Sequence, residues 1–214
     1  MPDPYDPIEK IIRSRRSIRK FKPEAVPPGW VESLIACATM APSPSNSQPV
    51  RFFRITSPVV REKLEQSMIE GRDTHLRKLE AGGRAKKTKS LINAYFRFSE
   101  FMFNAPVILC VGTEAGAGGL WRKLSEAGIV RDSPRGESDL DITVGLSVMC
   151  LLLKSEELGL GSCILSAPFV FLPNLEERIG LAGVRIKCFV ALGFADESPT
   201  PPERKGVSEI YKEL

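Results

Sequence analysis

Arg15-Arg16-Ser17-Ile18-Arg19-Lys20-Phe21, followed by Ala41-Pro42-Ser43-Pro44-Ser45-Asn46-Ser47-Gln48-Pro49, decides how this chain is read. The first stretch is a fan of guanidiniums around one hydroxyl. Guanidinium binds phosphate bidentately and keeps its charge at any working pH, and each charge-assisted bond contributes roughly 1.5 to 3 kcal/mol. The second is a proline-stiffened loop of short side chains, in which Asn46 and Gln48 each offer a donor and an acceptor, as the edge of a planar heterocycle requires. Together they describe a site for a phosphorylated, hydrogen-bonding planar ligand. Read alone, the cluster is also a solvated helix end and the loop an ordinary Pro/Ser/Asn turn.

Around these stretches the secondary structure follows from periodicity. Ile8, Ile11 and Ile12 form one helical face, so the basic motif falls at a helix end. Pro27-Pro28 suits a first helical turn, and Val31, Leu34, Ile35 and Ala38 keep the 3.6-residue period until Pro42 stops it. The Ser43–Pro49 loop then leads into a strand over Arg51–Ile55 and a helix from about Pro58 to Glu70. Residues 72–104, charged first and aromatic afterwards, predict one long or two broken helices. The aromatic run from Tyr95 to Phe103 is either core or the wall of a substrate pocket. Val107–Val111 is a buried strand. Residues 112–138 have little periodicity and read as a lid insertion. Within them, Gly116-Ala117-Gly118-Gly119 follows a strand, but Trp121 occupies the place where a dinucleotide fingerprint needs Gly. From Asp141 to Leu158 the chain is apolar almost all round, a helix that other elements or a partner subunit must wrap. Ile164-Leu165 and Lys187–Phe194 supply two more strands. The expected class is α+β, with a small central sheet flanked by helices in three layers, as one unit over residues 1–214, and an extended C-terminal arm at 196–214.

Composition removes several classes. At 214 residues with 43% hydrophobic and 26% charged residues, the chain can bury a core without staples. No apolar run reaches membrane-spanning length and the Pro- and Asp-rich start is unlike a signal peptide, so a soluble cytoplasmic protein is expected. Cys37, Cys110, Cys150, Cys163 and Cys188 sit scattered in apolar stretches and read as buried reduced thiols. His75, the single histidine, lies in a charged stretch and reads as a surface residue; one histidine excludes a multi-His metal site. No metal is expected, and difficult chemistry would fall to a cofactor. The net charge of +4 is concentrated at residues 13–22. A serine inside that cluster favours a small-molecule phosphate over nucleic acid.

The two motifs, together with Glu157-Leu158-Gly159-Leu160-Gly161-Ser162-Cys163 and Ala191-Leu192-Gly193-Phe194 with the following Pro199, Pro201, Pro202 and Arg204, resemble the nitroreductase family of flavoenzymes over nearly the whole chain. The resemblance implies FMN between the subunits of an intertwined homodimer, reduced by NADH or NADPH and passing electrons to nitro compounds, quinones or similar acceptors. By that match Arg15 and Ser17 hold the FMN phosphate and ribityl chain, and Arg16 contributes through its backbone. Arg19 sits at the N1/O2 edge of the ring as electrostatic support. Pro42, Ser43, Ser45, Asn46 and Gln48 approach from the other subunit, an amide of Leu165 or Ser166 lies near N5, and Arg204, with Lys205, closes on the phosphate. No protein acid or base is required. One departure is Val50, where the family usually has Trp after Gln-Pro; another is Ile164-Leu165-Ser166-Ala167-Pro168 after the Ser-Cys pair. The resemblance leaves open a specialised relative acting on a flavin or deazaflavin. Outside the family, a flavin-binding or basic nucleic-acid-associated protein without turnover remains an alternative.

Overall fold

A computed structural model gives the positions of residues 6–82, 86–114, 117, 120–130 and 134–213. Four antiparallel strands, β1 (Val50–Arg54), β2 (Val107–Glu114), β3 (Gly161–Leu165) and β4 (Val184–Gly193), form one sheet in the order β1-β2-β4-β3. Alternation along β2 divides the core. Val107, Leu109 and Val111 face one cluster with Leu34, Ala38, Val148 and Leu151, whereas Ile108 and Cys110 face another with Leu64, Met68, Phe96 and Phe171. The first cluster is closed by helices α2 (Pro28–Ala38) and α6 (Pro134–Glu157), the second by α3 (Pro58–Ala81) and α4 (Lys86–Glu100). This is the expected mixture of helices around a small sheet, and the pairing is antiparallel throughout. The remaining helices are α1 (Pro7–Ser14), α5 (Leu120–Glu126), α7 (Leu175–Arg178) and α8 (Val207–Ile210).

Several boundaries differ from the sequence reading. Helix α3 runs eleven residues past Glu70, to Ala81. Gly71, just past the expected end, is a contact glycine: a Cβ there would stand 2.0 Å from the Phe171 carbonyl oxygen, so only glycine lets the helix lie on the 167–171 turn. Helix α6 starts at Pro134 rather than Asp141, and β4 at Val184 rather than Lys187. In the stretch expected as a lid, β2 continues to Glu114 and α5 occupies Leu120–Glu126. Gly116, Gly118, Gly119 and the Trp121 side chain lie outside the described residues. The aromatic run divides: Phe96, Phe101 and Phe103 are core, while Tyr95 and Phe98 are exposed. His75 is half-buried, its Nε2 2.7 Å from the Val170 carbonyl oxygen. All five cysteines are unpaired, Cys110, Cys163 and Cys188 buried and the other two partly so. No helix among the described residues is long and apolar enough to cross a membrane.

Helix α6 buries Val144, Val148, Leu151 and Leu152 against the sheet but leaves Ile142, Leu146 and Met149, spaced as one stripe, exposed. Helix α1, in contact with α6, likewise leaves Ile8 and Ile12 exposed. Within one chain nothing covers this apolar face among the described residues.

Candidate functional site

The basic motif begins where α1 stops. Asp6 caps the helix, accepting the Glu9 N–H at 2.9 Å, and the Arg15 N–H closes the last turn on the Ile11 carbonyl at 3.1 Å. The chain then runs beside the sheet edge. Ser17 forms a parallel bridge with Ser162 of β3, the Ile18 N–H donating to the Ser162 carbonyl at 3.0 Å. Gly161 makes that approach possible, because a Cβ there would meet three side-chain atoms of Ile18 at 2.9 Å.

The arginines are held differently. Arg16 turns back, its Nη1 donating to the carbonyls of Arg13 at 2.6 Å and Arg15 at 2.8 Å, so its guanidinium is occupied locally. Arg19 Nη1 lies 3.3 Å from the Ser17 carbonyl and its guanidinium carbon 5.8 Å from the centre of the Phe98 ring. Arg15 is the exception: its Nε is buried and has no hydrogen-bond partner among the described residues. A buried donor without an acceptor costs about 1–3 kcal/mol, which a bound anion would recover. The Cys163 thiol lies beside this group. Burial raises its pKa against the opposing pull of the Arg19 charge, the Ser17 hydroxyl and the Arg15 charge, so the thiol stays protonated at neutral pH.

The polar loop is strained in a specific way. Ser45, Asn46 and Gln48 have φ of 53°, 52° and 46°, in the left-handed region that non-glycine residues occupy at a cost. The surroundings enforce it. The Asn46 N–H donates to the Ser43 carbonyl at 3.0 Å and the Gln48 N–H to the Ser43 hydroxyl at 3.0 Å. Arg51 grips the Gln48 carbonyl at 2.8 Å while paired with Glu114. Gln48 Nε2 donates to Asn46 Oδ1 at 3.1 Å, so the two amides brace each other. Beneath the loop is a cavity of about 80 Å³, lined by Ser43, Gln48, Val50, Phe52, Thr143 and Ser147 among others. Val50 borders this cavity, at the position where the sequence resemblance expects Trp.

These two motifs do not meet within one chain. The loop enters β1 at Val50, opposite Thr113 near the end of β2, which pairs with Arg185 at the start of β4. Ser17 lies beyond the other edge, on β3, where Ser162 pairs with Leu192 at the end of β4. They therefore occupy diagonal corners of the sheet. Four strand intervals of about 4.8 Å and six residues of about 3.4 Å put the corners about 28 Å apart. Leu165 is buried and Ser166 exposed at the far end of β3 from Ser17. Arg204 and Lys205 are exposed on the arm, whose root is tied to the basic motif: Asp196 N–H to the Lys20 carbonyl at 2.9 Å, and Glu197 Oε1 to the Arg19 and Lys20 N–H groups. Glu197 and Arg51 carry no sequence motif and only their partners in space mark them, whereas Phe98 belongs to the aromatic run.

The nitroreductase family model matches residues 12–194. The chain belongs to the nitroreductase family. A full-length relative is the Bacillus subtilis protein YfhC, which carries the name of an NAD(P)H nitroreductase and is 24% identical over 208 residues, 97% of this chain and 94% of the relative. A 5,6-dimethylbenzimidazole synthase of Rhodobacter capsulatus is 34% identical over 59 residues, 28% of this chain and 29% of that protein. Among solved structures, a BluB-like flavoprotein from Clostridium difficile superposes with a TM-score of 0.80 at 22% identity, covering 98% of this chain and 100% of that one. The FMN-dependent nitroreductase NfnB from Mycobacterium smegmatis, solved with NADPH, gives 0.66 at 19% identity, covering 96% and 97%. At these identities the structural likeness speaks for the fold alone.

Proposed function

We propose that the protein is an FMN-dependent oxidoreductase that works as a two-fold dimer, taking electrons from NADH or NADPH and passing them to an electron-poor acceptor such as a nitro compound or quinone. The observation that carries the reading is the buried, unpartnered Nε of Arg15 beside Ser17, a donor that needs an anion of phosphate character. The residues fit the cofactor. Arg15 and Ser17 bind its phosphate and ribityl chain, while the backbone of Arg16 lines the same turn. Arg19 supports negative charge at the ring edge. Pro42, Ser43, Ser45, Asn46 and Gln48 of a second copy present their braced amides to the ring, with Leu165 or Ser166 supplying a backbone N–H. Arg204 and Lys205 reach the phosphate from the exposed arm. FMN, when bound, supplies the two-electron transfer; the protein supplies binding, orientation and field.

The diagonal placement of the two motifs supports the dimer, since one copy offers each half of the pocket at a different corner. The bare stripe of Ile142, Leu146 and Met149 supplies an apolar surface for the contact. The test is an absorbance spectrum of the purified protein. Flavin bands that bleach anaerobically on adding NADH or NADPH are expected, and a colourless protein that cannot be reconstituted with FMN overturns the reading.

The local identity to a 5,6-dimethylbenzimidazole synthase favours a second reading, in which a flavin is the substrate and is itself consumed. Incubating reduced FMN with the protein in air separates the two. Recycling of an intact chromophore supports the oxidoreductase, and stoichiometric, irreversible loss of flavin absorbance supports the other.

A further inference from the structure

We propose that Glu197 is a positioning residue that ties the C-terminal arm to the backbone carrying Arg19 and moderates the positive field of the same corner. What that corner serves rests on the FMN reading; the contact itself does not. One carboxylate oxygen, Glu197 Oε1, accepts the N–H groups of Arg19 at 2.5 Å and Lys20 at 3.1 Å. Backbone ties surround it: Asp196 N–H to the Lys20 carbonyl, Lys22 N–H to the Phe194 carbonyl, both at 2.9 Å, and an antiparallel bridge between Phe21 and Ala195. These bonds join residues 177 and 178 positions apart, so the arm starts from the segment expected to carry the cofactor. Beyond Pro199 the arm is exposed throughout its described length, and it carries Arg204 and Lys205.

A neutral acceptor could close such a turn. A carboxylate here places a negative charge on the backbone of the segment that carries Arg15, Arg16, Arg19, Lys20 and Lys22, where an incoming anion must compete with it. Glu197 also acts electrostatically on Cys163, together with Arg15 and Arg19, so its charge reaches the same pocket. Two roles follow for one side chain: an acceptor that fixes where Arg19 leaves the backbone, and a charge that opposes the reduced, negatively charged ring.

Glu197→Gln and Glu197→Ala separate them. An amide oxygen still accepts both N–H groups, whereas alanine loses the acceptor. Hydrogen exchange of the Arg19 and Lys20 amides in the apoprotein is the first readout: at least about tenfold faster in Glu197→Ala, near wild type in Glu197→Gln. The second is made on FMN-loaded protein. Glu197→Ala loosens the Arg19 segment and weakens FMN about tenfold. Glu197→Gln, which keeps the acceptor and removes the competing charge, binds FMN at least as tightly as wild type, and the flavin midpoint potential rises in Glu197→Gln because an opposing charge is gone. Unchanged exchange in Glu197→Ala overturns the tie, and an unchanged potential in Glu197→Gln overturns the field. If Glu197→Ala does not fold, Glu197→Gln alone decides, since it must keep the exchange pattern and shift the potential. Should the wild-type protein take up no FMN, the cofactor reading falls while the exchange comparison still judges the tie.

Discussion

Replacing Arg15 by Met gives a prediction whose two halves have opposite signs. Met keeps a flexible apolar stem of similar reach and removes every donor. The buried Nε has no acceptor among the described residues, and an unmet donor costs about 1–3 kcal/mol. Taking the lower end, the apoprotein should gain about 1 kcal/mol, a rise of about 2–4 °C in melting temperature for a chain of this size. The bound state should move the other way. Losing a charge-assisted phosphate contact weakens FMN by about 1.5–3 kcal/mol, or roughly tenfold to 150-fold in Kd. At FMN equal to 100 times the wild-type Kd, ligand stabilises the wild type by about 2.7 kcal/mol and a tenfold weaker variant by about 1.4. Thermal melts without and with FMN, beside a fluorescence titration, read both. An Arg15→Met apoprotein that melts below wild type, or that binds FMN equally tightly, refutes the reasoning.

Arg19→Ala should lower the flavin midpoint potential, since the cation favours the reduced ring; each 1.4 kcal/mol appears as about 30 mV in a dye-coupled titration. A mixed dimer of Arg15→Ala and Asn46→Ala subunits should recover one working site of two, because one corner pair is then intact; activity no higher than that of either homodimer counts against the shared pocket. Gly161→Ala forces a Cβ to within 2.9 Å of Ile18, so a stability loss of about 1–3 kcal/mol and weaker FMN binding are expected from urea unfolding and titration. Burial holds the Cys110 and Cys188 thiols at a pKa of about 12, against 9.0 unperturbed. Above pH 9 the unfolded chain releases protons that the folded one keeps, so stability falls by about 1.4 kcal/mol per pH unit per thiol until about pH 12. A Cys110→Ala/Cys188→Ala variant should show a flatter profile over that window in urea midpoints.

Local signals carried much of the fold. Apolar spacing at Val31, Leu34 and Ala38 and the prolines at 27, 28 and 42 marked α2 and the loop after it almost to the residue. The run of α3 past Glu70 was not legible for a physical reason: the role of Gly71 is set by a carbonyl a hundred residues away, and sequence alone cannot tell a contact glycine from a terminator. The candidate site was legible where side-chain chemistry is itself the signal, as in Arg15 and Asn46. It was illegible where a residue acts through geometry. Glu197 sits in a Pro-rich tail with no pattern around it, and the occupied guanidinium of Arg16 looks in sequence like those of its neighbours. The corner placement of the motifs emerged only from the strand order, a long-range property that no window of sequence contains.

That placement fixes an order of events in the life of the protein. On the proposed two-chain site, a chain leaving the ribosome holds halves of two different pockets and a complete version of neither, so flavin cannot template its folding. On that reading cofactor would arrive only after two finished chains have met. Dilution would then empty both pockets together, and cofactor supply would feed back on assembly: abundant flavin would draw chains into pairs, while scarcity would leave single chains with the α6 stripe bare to chaperones and proteases. A cell short of flavin would lose the polypeptide itself, and not merely its turnover.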